Sequence, residues 1–194
     1  MPTIAGLFKV ILTGDREASR MAAREVRKLV YGSHAGKYDE IKSIVDSASE
    51  EYRKITDDFR QENFVMAVSV MYFLHDRESQ PDFLFPWIFE LFLHQNGNIR
   101  YAALRMLENE LGPLTVHIRC PGNEYGKRLA PGQADFILLN LFSSLHQLVI
   151  DLWKPVYKRY KYISSLPAGP YKTVQMALST MEEDCGKEYF EHKI

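Results

Sequence analysis

Cysteine is scarce in this chain: two among 194 residues, Cys120 and Cys185, with no C-x-x-C spacing. That excludes a dense disulfide framework and a thiolate metal knuckle, and it fits a reducing compartment; a cytoplasmic protein is expected. An excess of charge of either sign is also lacking. Lys plus Arg number 24 against 25 Asp plus Glu, a formal net charge of -1. This excludes a body that is basic all over, and leaves only local patches as nucleic-acid surfaces. No clean apolar run reaches the about 20 residues of a bilayer crossing. DFLFPWIFELFLH contains Pro86 and Glu90, and DFILLNLFSSLHQLVIDLW is interrupted by Asn140, His146 and Gln147. Both read as core helices, so no membrane partner is expected. The apolar start MPTIAGLFKVILTG lacks a basic lead-in and a clear cleavage site, and reads as mature protein.

Catalytic spacings are absent as well. There is no H-E-x-x-H and no G-x-S-x-G, and GNEYGKR lacks the hydroxyl residue and preceding strand of a phosphate loop. Ser143 and Ser144 sit inside an apolar helix as packing residues. Arg119 stands beside Cys120 and would lower its pKa, but in an extended segment His117 and Cys120 face opposite ways. Six histidines, His34, His75, His94, His117, His146 and His192, show no ligand spacing on one helix. The pair His75-Asp76, with His34 and a later Asp135 or Asp151, resembles the scattered ligands of the HD phosphohydrolases, which hold a water-activating metal. It also falls at a helix end, where a surface histidine is ordinary. No cofactor, no metal and no catalytic residue is expected.

What is present is helical periodicity. Apolar residues recur at helical spacing over about 3–12, 16–31, 37–55, 61–75, 82–95, 99–111, from 133 to at least 153, and 171–184, with PVYKRYKYISSL as a further helical piece. Asp15 is the expected N-cap of the second helix and Gly32 its stop. Only LTVHIR, 114–119, alternates as a strand would. Gly112-Pro113 should close the sixth helix and open a long Gly/Pro-rich loop at about 112–133. The chain is expected to be a single all-helical domain over 1–194.

NIRYAALRMLENEL, 98–111, poses a physical question. Arg100 lies near the start of a helix, at the positive end of its dipole, beside an apolar face of Ile99, Ala102, Ala103, Met106, Leu107 and Leu111. Its stem can cover apolar surface, and its head needs acceptors outside the helix, carbonyls or carboxylates of an adjacent hairpin. Asn98 is the expected N-cap, Asn96 the holder of the turn, and the small pair Ala102-Ala103 lets a neighbouring helix approach. Leu84 to Leu111, LFPWIFELFLHQNGNIRYAALRMLENEL, resembles one HEAT repeat: a helix, a tight turn, then a second helix opening on a hydrophobic residue and an arginine, with alanine and leucine following. Ile99, Arg100, Ala102 and Leu107 hold those places. The resemblance implies an all-α, right-handed superhelical stack of antiparallel hairpins, HEAT/armadillo-like. Asn98, Arg100, Ala102 and Ala103 would then sit between repeats; in that family the arginine joins an aspartate in the preceding turn, where this chain has Asn96 and Asn98. An offset of 35 residues lays Ala67 over Ala102 and Met71 over Met106, with Val65 where the arginine stands.

Such a stack implies a non-catalytic protein-binding or scaffold module, with another protein, or a second copy, as partner. Arg119, Lys127, Arg128, Lys158, Arg159 and Lys161 are the candidate partner-binding residues. The alternative is a nucleic-acid-binding helical repeat. WKPVYKRYKY, 153–162, interleaves bases with rings, and would meet phosphates with Lys154, Lys158, Arg159 and Lys161 while its tyrosines stack.

Overall fold

The computed structural model describes residues 2–32, 36–122 and 129–191, and the side chain of Lys187 lies outside that description. The fold is all-α: helices and short 3-10 turns, with no strand among the described residues. Two compact units make up the chain, 1–77 and 78–194.

In the first unit α1 (Ile4–Thr13) and α2 (Arg16–Tyr31) form a hairpin. Asp15 caps α2, its carboxylate accepting from Ala18 N at 2.8 Å. Gly14 ends α1, and a Cβ there would lie 2.7 Å from the Val10 carbonyl, so no side chain fits the turn. α3 (Lys37–Asp46) and α4 (Ala48–Arg53) replace the single helix read over 37–55. The break is at Ser47, whose hydroxyl turns back to the Ser43 carbonyl at 2.9 Å, offering the chain an alternative to continuing the helix. α5 (Asp58–Met71) packs on α2 and α1, and a 3-10 turn at Tyr72–Leu74 follows it. Phe8 meets Phe64 edge to face at 5.5 Å. A buried polar chain joins the three helices: Asn63 donates to Ser19 Oγ, which donates to the Ile11 carbonyl, each at 2.9 Å.

In the second unit α6 (Phe85–Phe92) and α7 (Gly97–Arg119) form a hairpin over the expected fifth and sixth helices. The start of α7 corrects the capping assignment. Asn96 is the N-cap, its Oδ1 accepting from Asn98 N at 2.8 Å, and Asn98 lies inside the first turn. The end of α7 corrects the loop and the strand: Gly112-Pro113 does not stop the helix, and 114–119 continues it. Two causes are visible. Leu111, Leu114 and Thr115 are buried, so the face continues to gain apolar burial past the proline, at about 1.5–3 kcal/mol for a full leucine. The carbonyls next to the proline have extra donors: Thr115 Oγ1 reaches Leu111 O at 2.7 Å and Arg119 Nη2 reaches Gly112 O at 2.9 Å. The Gly/Pro-rich connection is correspondingly shorter, and its residues 123–128 lie outside those described. α8 (Pro131–Leu152) leads through 3-10 turns at Pro155–Arg159 and Ile163–Ser165 into α9 (Pro170–Cys185), which packs on α7 and α8; α10 (Lys187–Glu191) follows.

Candidate functional site

Arg100 answers the question its position raises. It is 8% exposed, and Ala102 and Ala103 beside it are fully buried. Its Nη1 donates to the carbonyls of His94 and Gln95 at 2.7 and 2.8 Å, in the turn that follows α6. Its Nε donates to Thr173 Oγ1 on α9 at 3.2 Å, and that hydroxyl donates to the Gly169 carbonyl at 3.0 Å. One guanidinium thus holds the turn of one hairpin against a third helix. Burial lowers the Arg100 pKa from its usual value, but a guanidinium starts so high that it stays charged. The acceptors are carbonyls and a hydroxyl, and Arg100 makes no ion pair among the described residues. Thr173 was not legible in the sequence, since 73 residues separate it from Arg100.

The other expected site residues divide. Arg119 turns back onto its own helix, to Thr115 Oγ1 and Gly112 O. Lys127 and Arg128 lie outside the described residues, as do His34 and His192. Lys158, Arg159 and Lys161 are exposed on the turns between α8 and α9. Each stands over a ring: Lys158 at 5.6 Å from the Trp153 centroid, Arg159 at 4.9 Å from Tyr160, Lys161 at 5.3 Å from Tyr162. Between Leu152 and Met181 the sequence holds five cations, Lys154, Lys158, Arg159, Lys161 and Lys172, and no acid. None of the five makes an ion pair among the described residues. Tyr157 stacks on Tyr171 at 4.4 Å and 15°, and burial raises the Tyr171 pKa. Beside that stack is a pocket of about 170 Å³ lined by Trp153, Tyr160, Lys161, Tyr162 and Gln175, among others.

α8 is the second notable surface. Ala134, Leu138, Leu141 and Leu145 form its buried row. Phe136 and Ile150, on the other side, are 67% and 66% exposed, with Asn140, Ser143 and Gln147 between them also exposed. The helix carries no charged side chain between Asp135 and Asp151. It is long and apolar enough, by length and composition, to cross a membrane.

Among the described residues, the candidate catalytic side chains are not brought together. His75 is buried and its Nδ1 accepts from Arg77 N at 3.0 Å, while Asp76 pairs with Lys42 at 3.0 Å. No group of three His, Cys, Asp or Glu side chains placed to hold a metal occurs among the described residues. His117 Nε2 meets Asp135 Oδ1 at 2.8 Å, an oxygen that also accepts from the Tyr189 hydroxyl. That cluster ties the end of α7 to the start of α8 and to α10, and burial raises the Tyr189 pKa far above its ordinary value. Cys120 is exposed and Cys185 buried, and burial pushes the Cys185 thiol up to about 12, away from the reactive range.

No protein-family model, curated protein or solved structure matches the chain.

Proposed function

We propose that this chain is a non-catalytic protein-binding module whose hairpins stack in the HEAT/armadillo manner, and that a partner helix docks along the outer row of α8. The contrast between the two faces of α8 carries the reading. The inner row is packed as an interior helix packs, while the outer row is exposed and has no charge from 136 to 150. A terminal hairpin of a stack needs a polar outer face to remain soluble, so α8 has the composition of an inner helix without its next layer. A partner helix supplies that layer, apolar opposite Phe136 and Ile150 and hydrogen-bonding opposite Asn140, Ser143 and Gln147. Lipid would strand those three polar side chains in the middle of the row, which favours protein over bilayer. The buried Arg100 bridge supports the stacked arrangement, because it ties a hairpin turn to a neighbouring helix beside two alanines that allow close approach.

The test uses the full chain carrying Ser143→Cys and Cys120→Ser, with a cross-linker on the new thiol, in extract of the source cell. Stoichiometric cross-linking to one protein, abolished by Phe136→Glu with Ile150→Glu, supports the reading. Cross-linking to the chain itself, with a dimer in light scattering, makes the partner a second copy. Diffuse labelling that the two glutamates leave unchanged overturns it.

A further inference from the structure

We infer that the turns between α8 and α9 form a site for single-stranded nucleic acid, with one unstacked base in the pocket beside Tyr157 and Tyr171 and phosphates on Lys158 and Lys161. The site is separate from the outer row of α8 and does not rest on the protein-docking proposal.

Charge comes first. Five cations without an acid in thirty residues, none in an ion pair among the described residues, leave a local field that the balanced whole-chain charge conceals. A surface of this kind recruits an anionic polymer. Geometry narrows the class. Bases and rings come in pairs, with Lys158 over Trp153, Arg159 over Tyr160 and Lys161 over Tyr162. Stacking surface and counter-charge thus repeat together, as bases and phosphates do along a strand. The pocket, about 170 Å³, is smaller than the roughly 300–1,000 Å³ of sites for drug-sized ligands; it suits one ring system and not a whole ligand. A duplex keeps its bases stacked and cannot fill it.

A second, independent observation lies in the pocket wall. Gln175 donates from Nε2 to the Tyr171 hydroxyl at 3.1 Å, while its Oε1 is buried with no hydrogen-bond partner among the described residues. A buried acceptor left unsatisfied costs about 1–3 kcal/mol, and it calls for an N–H or O–H donor from a ligand. The edge of a base offers such a donor, and the carboxamide of glutamine is suited to the amine-bearing edge of adenine. The carboxylates of an acidic peptide would meet the lysines but would bring neither a flat ring to the tyrosines nor a side-chain donor to Gln175. The phosphate of a lipid headgroup has the same shortfall.

Fluorescence anisotropy of the full chain tests this, with labelled single strands of about 12 nucleotides, a duplex of the same length, a polyglutamate peptide, and vesicles containing phosphatidylserine, over a salt series. Expected are binding of the single strand in preference to the other three and a fall in log K with log salt. Lys158→Glu with Lys161→Glu should make that slope shallower by about 1.4, at about 0.7 for each phosphate no longer neutralised. Tyr162→Ala, at an exposed ring, should weaken binding about tenfold with the slope unchanged. Gln175→Leu should reduce the preference for adenine over thymine strands, with the circular dichroism spectrum unchanged, whereas Gln175→Glu, which keeps an acceptor oxygen at the same position, should retain it. No single-strand binding at low salt, equal binding of duplex, or a stronger response to the peptide or vesicles overturns the site. Phe136→Glu with Ile150→Glu should leave strand binding intact, so the two proposals fail separately.

Discussion

Two arginines stand near the starts of helices in the two units, Arg60 in α5 and Arg100 in α7, and each holds the end of another element by a different means. Arg60 Nη2 donates to the Gly14 carbonyl, the end of α1, at 2.9 Å, and its Nη1 pairs with Asp57 just ahead of α5. Its side chain is 25% exposed. Arg100 is more deeply buried and has two carbonyls and a hydroxyl in place of an acid. Where water still reaches, a carboxylate completes the guanidinium; where it is shut out, the open carbonyls of a turn suffice, and burying a carboxylate as well would add its own desolvation cost. An arginine–aspartate pair occurs at Arg60, with Asp57 three residues before it, and not at Arg100. An offset of 35 residues points to Val65 and misses it.

Removing Arg100 should have the largest effect. Arg100→Leu strands the His94 and Gln95 carbonyls and should cost about 3 kcal/mol in urea unfolding. Arg100→Lys should recover little, since an ammonium cannot reproduce the planar fork. A cost near zero would mean that the turn holds without it. Next come the alanines that the offset aligns. Ala67 and Ala102 are both fully buried, so leucine at either should cost about 1–3 kcal/mol by overpacking. Equal costs sharpen the correspondence between α5 and α7, and a tolerant Ala67 breaks it. Arg60→Leu should cost about 1 kcal/mol, discounted for exposure, and the loss should shrink in high salt while that of Arg100→Leu does not.

The cysteines repeat the contrast between buried and open settings. One thiol, Cys120, should react with a disulfide reagent at neutral pH, and Cys185 only on unfolding. Because the folded Cys185 pKa is raised to about 12, its contribution to stability is complete below the ordinary thiol range. It is lost as pH rises through that range toward 12, so thermal unfolding of the wild type should move down across that window more than that of Cys185→Ala. Smallest is the effect of Phe136→Glu or Ile150→Glu on stability, within about 0.5 kcal/mol for exposed positions.

Several elements were legible because their signals are local. Asp15, Gly14 and Gly32 bound the first two helices where their side-chain and turn chemistry says, and the buried alanines of α7 follow from 3-and-4 spacing. Other expectations failed where a distant or competing contact decided. Gly112-Pro113 is a strong local stop, yet burial of Leu114 and Thr115 carries the helix on. Asn98 and Asn96 are equally good caps by type, and the backbone chose Asn96. Arg119, expected to face a partner, is exposed and hydrogen-bonds to Gly112 and Thr115 of its own helix. At the candidate site, the bases and rings of 153–162 could be read directly; the Tyr157–Tyr171 stack and the unsatisfied Oε1 of Gln175 could not, because both depend on how α9 folds against those turns.

The sequence by itself determined the all-helical class, the lack of acids across residues 152–181, and the apolar rows, since these depend on residue type and a period of a few residues. Tertiary structure decided where helices end, which acceptors Arg100 takes and which face of α8 stays exposed. Those outcomes depend on desolvation and hydrogen bonding between segments far apart in the chain, and no local pattern encodes which polar group will be shut away from water.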